Sequence, residues 1–244
     1  MKIIDSIITF IRAAIVLLWS LFCALFGIVV LLVTWNPSFT QRFTTRYVWS
    51  PVLLGACGVK VNLYGTENIN YEQASIYVAN HASQFDIVAL CRVMPITLFY
   101  VVKQELKKVP LIGWYIYALG HIFVDRKNPE SAKISMRAAA DKIKSGKNLI
   151  SFAEGTRTKT GELLMFRRGP FLIAKEGNLD VIPIAIEGSR QVLPSGSFSP
   201  KPGVINIYIG KVICPDEYQN ITIEELAALT RSRVQAMLTE RKSI

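Results

Sequence analysis

Between Ala13 and Gln41 the sequence carries no charged residue, and Arg12 and Arg42 close the stretch on either side. No other feature limits the possible folds as strongly. Its central run, residues 13–35, is 23 residues long, against the ~20 apolar residues a helix needs to cross bilayer hydrocarbon. It is longer than the ~7–15-residue apolar core of a signal peptide, and no small-residue cleavage site follows. A retained membrane anchor is therefore expected. The alternative, a core helix of a soluble domain, would need apolar cover on every side over that length. A second apolar patch, residues 47–59, holds Trp49, Pro51, Gly55 and Gly58. It is too short to span comfortably and reads as interfacial or re-entrant. The two stretches together are compatible with a hairpin in one leaflet or with a single crossing. Lys2 and Arg12 on one side balance Arg42 and Arg46 on the other, so charge bias sets no orientation.

From Lys60 onward the pattern changes to strands alternating with helices. Short β-branched and aromatic runs at 60–64, 75–79, 97–102, 122–124, 149–152, 181–186 and 204–209 read as strands. Helices are expected from near Ser83, over 107–119 around Pro110, from Asn128-Pro129-Glu130 to Gly146, over 171–176, and from the capping box Thr222-Ile-Glu-Glu225 towards Glu240. Such alternation predicts an α/β layered sandwich with a mostly parallel central sheet. Neither a repeat nor a low-complexity linker interrupts it. The expected division is a hydrophobic helical membrane anchor, 1–59, followed by one α/β domain, 60–244.

The formal net charge is +10 and is unevenly distributed. Lys103 to Arg168 holds 14 basic and 6 acidic residues, and so supplies +8 of it. A basic surface beside an apolar segment points to anionic membrane lipids or phosphate-bearing ligands. No arginine-rich tail, RNP-like aromatic pattern or zinc-finger spacing supports nucleic acid. The four cysteines (Cys23, Cys57, Cys91, Cys214) are isolated from one another. Without C-x-x-C spacing or a histidine nearby, no metal site is expected, and each thiol reads as a small apolar filler.

In a parallel sheet, ligands gather at the carboxyl ends of the strands, and four polar corners occupy those ends. The first is Asn80-His81, with Asp86 five residues after the histidine. A carboxylate that accepts one imidazole N–H fixes the tautomer and leaves the other nitrogen free to take a proton. That arrangement requires His81 to precede the helix and Asp86 to lie in its first turn. The same residues also fit a simple helix start, Ser83 capping and Asp86 closing a capping box. The second corner is Gly120 to Arg126. Arg126 is either a ligand-facing cation or half of an exposed pair with Lys127, while His121, beside a glycine, reads as packed or rim. The third is Phe152-Ala-Glu154-Gly155-Thr156-Arg157, followed by Phe166-Arg-Arg-Gly169. Its glycine permits close approach and its arginine suits bidentate phosphate contacts; the alternative is a tight turn with a solvated arginine. The fourth is Ile182-Pro-Ile184, leading to Glu187-Gly188. Lys103, at another strand end, could support an oxyanion or a phosphate, or be an ordinary solvated lysine.

In this order and spacing the four corners resemble the signature blocks of the glycerolipid acyltransferase family, and most nearly those of its bacterial members that acylate lysophosphatidic acid. The blocks are Asn-His with an aspartate five residues after the histidine, Gly-x-Ile-Phe-hydrophobic-x-Arg, Phe-x-Glu-Gly-Thr-Arg and apolar-Pro-apolar. The resemblance covers residues 60 to 215. Where the family has Phe-Lys-x-Gly, this chain has Phe166-Arg-Arg-Gly169, which keeps the positive charge. The resemblance implies transfer of a fatty acyl group from an acyl-ACP or acyl-CoA thioester to the sn-2 hydroxyl of lysophosphatidic acid, giving phosphatidic acid without a cofactor. It implies His81 as general base oriented by Asp86, and a phosphate site formed by Arg126, Glu154, Gly155, Thr156 and Arg157. It further implies residence at the bacterial inner membrane with the site on the cytoplasmic side. Competing readings are an acyltransferase for another lysolipid (lysophosphatidylglycerol or a lyso-ornithine lipid), a non-catalytic binder of anionic lipid, and a thioester hydrolase. Against the last, the sequence holds no Gly-x-Ser-x-Gly elbow.

Overall fold

The computed structural model describes residues 2–125 and 129–240, with side chains for 7–125 and 134–239. The charge-free stretch forms one helix, α1 (Lys2–Thr34), about 50 Å long at 1.5 Å per residue. Trp35 turns the chain at a φ of 51°. Asn36 Oδ1 then accepts Phe39 N–H at 3.0 Å and Pro37 occupies the first turn, a capped restart. The chain runs back along α1 as α2 (Pro37–Arg42), a π-helical segment Phe43–Trp49, and α3 (Ser50–Cys57). The patch at 47–59 is thus mostly the return arm of a helical hairpin. Thr34 and Thr40 meet at 3.0 Å near the turn. Further along, Trp19 Nε1 donates to Val48 O and Trp49 Nε1 to Ser20 Oγ, at 3.1 and 2.9 Å.

Next come β1 (Val59–Tyr64), β2 (Ile76–Ala79), α4 (Phe85–Val93), β3 (Leu98–Lys103), α5 (Ile112–Ala118), β4 (Ile122–Val124) and α6 (Pro129–Lys144). The chain continues through β5 (Asn148–Phe152), α7 (Gly169–Gly177), β6 (Val181–Glu187), α8 (Ser189–Val192), β7 (Gly203–Ile209), α9 (Pro215–Tyr218) and α10 (Ile223–Glu240). All seven strand runs read from the sequence are strands. The helix expected over 107–119 starts only at Ile112, because Val109 before Pro110 is held extended and residues 104–108 form a 3-10 turn. Asn128, the expected cap of α6, lies outside the described residues, whereas the capping box of α10 is formed. Thr222 N–H donates to Glu225 Oε2 at 2.7 Å and Glu225 N–H to Thr222 Oγ1 at 3.2 Å.

Among the described residues the seven strands form one sheet, ordered β1-β7-β6-β2-β5-β3-β4. Every neighbouring pair is parallel except β6 and β7. β1 and β7 therefore run opposite to the other five strands. Central strands are apolar on both faces, as a sheet covered on both sides requires. Ile76 and Val78 join Phe99, Leu149, Phe171 and Ile143 in the layer under α6, α7 and α10. Tyr77 and Ala79 point the other way, to Leu53, Phe85, Leu90 and Ile182 beneath α3 and α4.

The hairpin is joined to this sandwich rather than tethered to it. Thr9 Oγ1 lies 3.1 Å from Ser199 Oγ, Arg12 donates to Pro200 O at 3.3 Å, and Thr44 hydrogen-bonds the Tyr115 hydroxyl. Ala24 packs with Tyr115 and Leu119. The outward side of α1 keeps Phe10, Leu17, Leu18, Leu32 and Val33 more than half exposed. Ile7–Thr34 is long and apolar enough to cross a membrane, with 17% of its apolar window buried in the protein.

His121, read as packed or rim, is packed. Its Nδ1 accepts Tyr100 N–H at 2.8 Å just before β4 begins to pair with β3, and its ring lies against Phe99 and Tyr100. Burial, helped by the nearby Lys142 ammonium, pushes its pKa down to about 3. A folded-state pKa below the unfolded value of ~6.5 means that the unfolded chain binds the extra proton, so stability falls as pH drops below ~6.5. Between pH 7 and pH 5 the loss from this group is about 2 kcal/mol, or roughly 4–8 °C in melting temperature for a chain of this size. His121→Gln, which keeps an acceptor for the amide, is expected to flatten that dependence in detergent-solubilised protein; melting curves at the two pH values check it.

Candidate active site

β2 is central, flanked by β6 and β5, so the corners that follow these three strands lie side by side. Asn80 leaves the sheet first, and its carboxamide extends the pairing that the backbone abandons. Ile186 N–H donates to its Oδ1 at 2.7 Å and its Nδ2 donates to Ile186 O at 2.9 Å. His81 follows. Its ring stacks on Phe152, the last residue of β5, with centroids 4.0 Å apart. Its N–H donates to Glu154 Oε1 at 2.6 Å, and its carbonyl accepts Thr158 N–H at 3.0 Å. Both main-chain polar groups and one ring face are thereby fixed.

Asp86 lies in the first turn of α4 and is fully buried. Its Oδ2 accepts from His81 Nδ1 at 2.7 Å, Ala82 N–H at 2.8 Å and Ser83 N–H at 2.9 Å. Ser83 Oγ meanwhile accepts Phe85 N–H at 3.1 Å. The two readings of this segment are therefore not alternatives. One carboxylate oxygen closes the helix start and orients the imidazole. An ionised carboxylate only accepts, so Nδ1 carries the hydrogen, and in the neutral ring Nε2 is then the nitrogen with the lone pair. Nε2 makes no hydrogen bond to a described residue, and 14% of the side chain is open to solvent.

Glu154 is 3% exposed. Besides His81 N–H it takes Leu164 N–H on Oε2 at 2.9 Å. Burial raises its pKa; the two N–H donors and the His81 ring oppose that rise, and the Asp86 charge adds to it. The carboxylate ties the His81 corner to the segment at 163–167. Gly155 has a φ of +72°, and a Cβ there would come within 2.5 Å of Arg167 Nε. Arg167 itself lies across the glycine, donating Nε to Glu154 O at 3.3 Å and its main-chain N–H to Ala153 O at 2.8 Å. Thr156 is exposed. Arg157 is partly exposed and makes no hydrogen bond or ion pair to a described residue, one position before the peptide that holds the His81 carbonyl.

The remaining sequence candidates stand further off. Lys103 ends β3, two strands from β2 or ~10 Å across the sheet, with its side chain exposed. Arg126 lies outside the described residues; the strand it follows, β4, is three strands from β2. Three roles go beyond the sequence reading: Asn80 and Phe152, named in the corners, serve as a strand mimic and as the platform under the imidazole, and Arg190 carries no sequence signal at all. Arg190, in α8, donates Nη2 to Lys159 O at 2.9 Å and packs its stem against Gly161, bracing the loop that carries Arg157.

Comparison with known proteins points one way. The Acyltransferase family pattern matches residues 60–187. A 1-acyl-sn-glycerol-3-phosphate acyltransferase of Saccharomyces cerevisiae is 27% identical, the alignment covering 100% of this chain and 81% of the yeast protein. One from Limnanthes douglasii is 30% identical over 82% of this chain and 70% of its own. Among solved structures, the 1-acyl-sn-glycerophosphate (LPA) acyltransferase of Thermotoga maritima superposes with a TM-score of 0.84 at 26% identity, covering 100% of this chain and 98% of the other.

The Glu154 bracket generates a prediction. Glu154→Gln preserves shape but turns one accepting oxygen into a donor, so either His81 N–H or Leu164 N–H loses its partner. An orphaned buried donor costs about 1–3 kcal/mol. The variant is expected to unfold at correspondingly lower denaturant concentration, and an unchanged midpoint would show that neither bond matters to stability.

Proposed function

The chain belongs to the acyltransferase family, and from that premise we propose that it moves a fatty acyl group from an acyl-ACP or acyl-CoA thioester to the sn-2 hydroxyl of lysophosphatidic acid, yielding phosphatidic acid for phospholipid synthesis. The observation that carries this reading is the 2.7 Å contact between His81 Nδ1 and Asp86 Oδ2, at the exposed end of the central strand and beside the loop of Arg157. Relatives named for the same acceptor support it.

In the proposed reaction, Nε2 of His81 removes the hydroxyl proton as the oxygen attacks the thioester carbonyl. The tetrahedral adduct collapses by breaking the carbon–sulfur bond, and the imidazolium returns the proton to the departing thiolate. Asp86 holds the ring in the required tautomer and stabilises its cationic form. Of the described partners of Asp86, only the imidazole can become cationic, which concentrates the carboxylate's influence there. No acyl-enzyme is required.

Arg157 is assigned to the acceptor phosphate, with Thr156 and the bare Gly155 backbone shaping the approach and Arg126 and Lys103 as more distant cations. Glu154 is assigned to positioning rather than to phosphate contact, since an anion there would repel the ligand and its oxygens already serve two amides. Residues 1–59 are assigned to membrane attachment and 60–244 to catalysis, at the bacterial inner membrane with the site facing the cytoplasm. Because α1 touches the sandwich from Thr9 to Ala24, a hairpin lying in one leaflet fits better than a lone crossing helix.

Two sets of variants test the assignment. Asp86→Asn and His81→Ala are expected to lower kcat by roughly 10²–10⁴-fold while leaving acceptor binding intact; turnover within a few-fold of wild type in either would remove the general-base mechanism. Arg157→Ala is expected instead to raise the acceptor KM by roughly ten- to a hundred-fold, the worth of one charge-assisted contact. Steady-state rates with lysophosphatidic acid and a phosphate-free lysolipid separate the two effects and show whether the phosphate is what the site reads.

A further inference from the structure

Beyond this site, a cleft of about 610 Å³ opens between the return arm of the hairpin, the start of β1 and the end of α4. Its walls include Arg46, Tyr47, Leu54, Gly55, Val61 and Arg92, and no acidic residue. None of these belongs to the His81–Asp86 site. α4 carries Asp86 in its first turn and Arg92 in its last, about 9 Å apart along the axis.

Three observations describe what such a cleft accepts. Charge comes first. No aspartate or glutamate occurs from Ser6 to Thr66, while Arg12, Arg42, Arg46 and Lys60 fall in that range. Both arginines line the cleft and each is held by a main-chain carbonyl: Arg92 Nη1 donates to Arg46 O at 3.0 Å, and Arg46 Nη1 donates to Met94 O. Each guanidinium has five N–H donors, and these contacts engage one on each.

Gly55 is the second. It sits inside α3 at an exposed position, where a helix disfavours glycine. No atom lies within 4 Å of where its Cβ would stand, so packing within the chain does not require it. Its effect is to leave the cleft wall open. Continuity is the third. The arm that forms this wall also leaves Phe39, Phe43, Tyr47 and Val52 exposed, and Tyr47 belongs to both surfaces.

We propose that this cleft binds one anionic phospholipid drawn from the bilayer, its phosphate on Arg46 and Arg92 and an acyl chain laid over Leu54, Gly55 and Val61. Guanidinium groups on the cleft wall suit a phosphodiester, and the apolar residues among its lining, Pro51, Leu54, Val59, Val61 and Val93, suit a chain at the membrane interface. The assignment rests on the membrane attachment proposed above for residues 1–59 but not on the reaction.

Photolabelling tests it without recourse to activity. Full-length protein is reconstituted into phosphatidylcholine vesicles containing phosphatidylglycerol with a diazirine on one chain, irradiated, and mapped by mass spectrometry. Adducts are expected within residues 46–61 and 92–93, competed by unlabelled phosphatidylglycerol and not by phosphatidylcholine. Gly55→Leu fills the space without removing a contact and is expected to cut those adducts at least five-fold at a melting temperature no lower than that of the wild type, since leucine suits a helix better than glycine; Arg92→Gln is expected to cut them as well. Absence of adducts from the cleft, equal labelling by a diazirine phosphatidylcholine, or persistence in Gly55→Leu would each overturn the proposal. So would displacement by lysophosphatidic acid, which would make the cleft part of the acceptor site, or chain-to-chain cross-links there, which would make it a contact between copies.

Discussion

A carboxylate with no solvent contact is tolerated in a fold only when donors offset its burial, and Asp86 gathers its donors on one oxygen, Oδ2, while Oδ1 has no hydrogen-bond partner among the described residues. The three donors on Oδ2 come from His81, Ala82 and Ser83. They therefore fix the corner after β2, the first turn of α4 and the direction of the imidazole together. Remove the carboxylate and the helix start, the corner and the ring lose their common anchor at once. Much of the surrounding structure serves to bring that corner to one place. Asn80 holds it to β6, Glu154 to the loop after β5, and Phe152 closes the ring's inner face.

The strands were legible because a sheet covered on both faces needs continuous apolar runs, and glycine or polar corners interrupt them at each end. Ser75–Ala79 and Val181–Ile186 were read in this way. Strand order was not legible. It depends on which runs pair across long separations, and here β1 and β7, the first and last strands in sequence, lie together at one side. Residues 47–57 are helical, as expected of a helical anchor over 1–59, but where the return arm's helices begin and end was not legible, because an apolar patch with a proline and two glycines has no clear period. Its regularity comes from packing against α1.

Within the site, spacing alone left the histidine–aspartate pair and a helix cap as two readings, and the order of the four corners is what favoured the pair. The role of Glu154 could not be read from either. In the sequence it stands beside Gly155, Thr156 and Arg157 as one polar motif, and only the fold separates a side chain turned inward to two amides from those turned outward. Arg190 illustrates the same limit: nothing in the sequence after Gly188 marks it, and its bond to Lys159 O exists because α8 meets a loop 31 residues earlier in the chain.

Under the proposed function, the firm joint between hairpin and sandwich bears on how a lysolipid would reach His81. Drawing an acyl chain out of a bilayer costs about 0.8 kcal/mol per methylene, on the order of 10 kcal/mol for a chain of a dozen or more. A catalytic domain on a loose tether would have to meet that cost at each encounter. A domain whose hairpin is bonded to it at Ser199, Pro200 and Tyr115 would instead hold one face at the membrane surface, and in the proposed reaction the acceptor's tail would remain in hydrocarbon while its headgroup met the arginine loop. On this view the exposed apolar side of α1 and the buried aspartate act on the same problem at different scales. One sets where the protein sits, the other where a single nitrogen points.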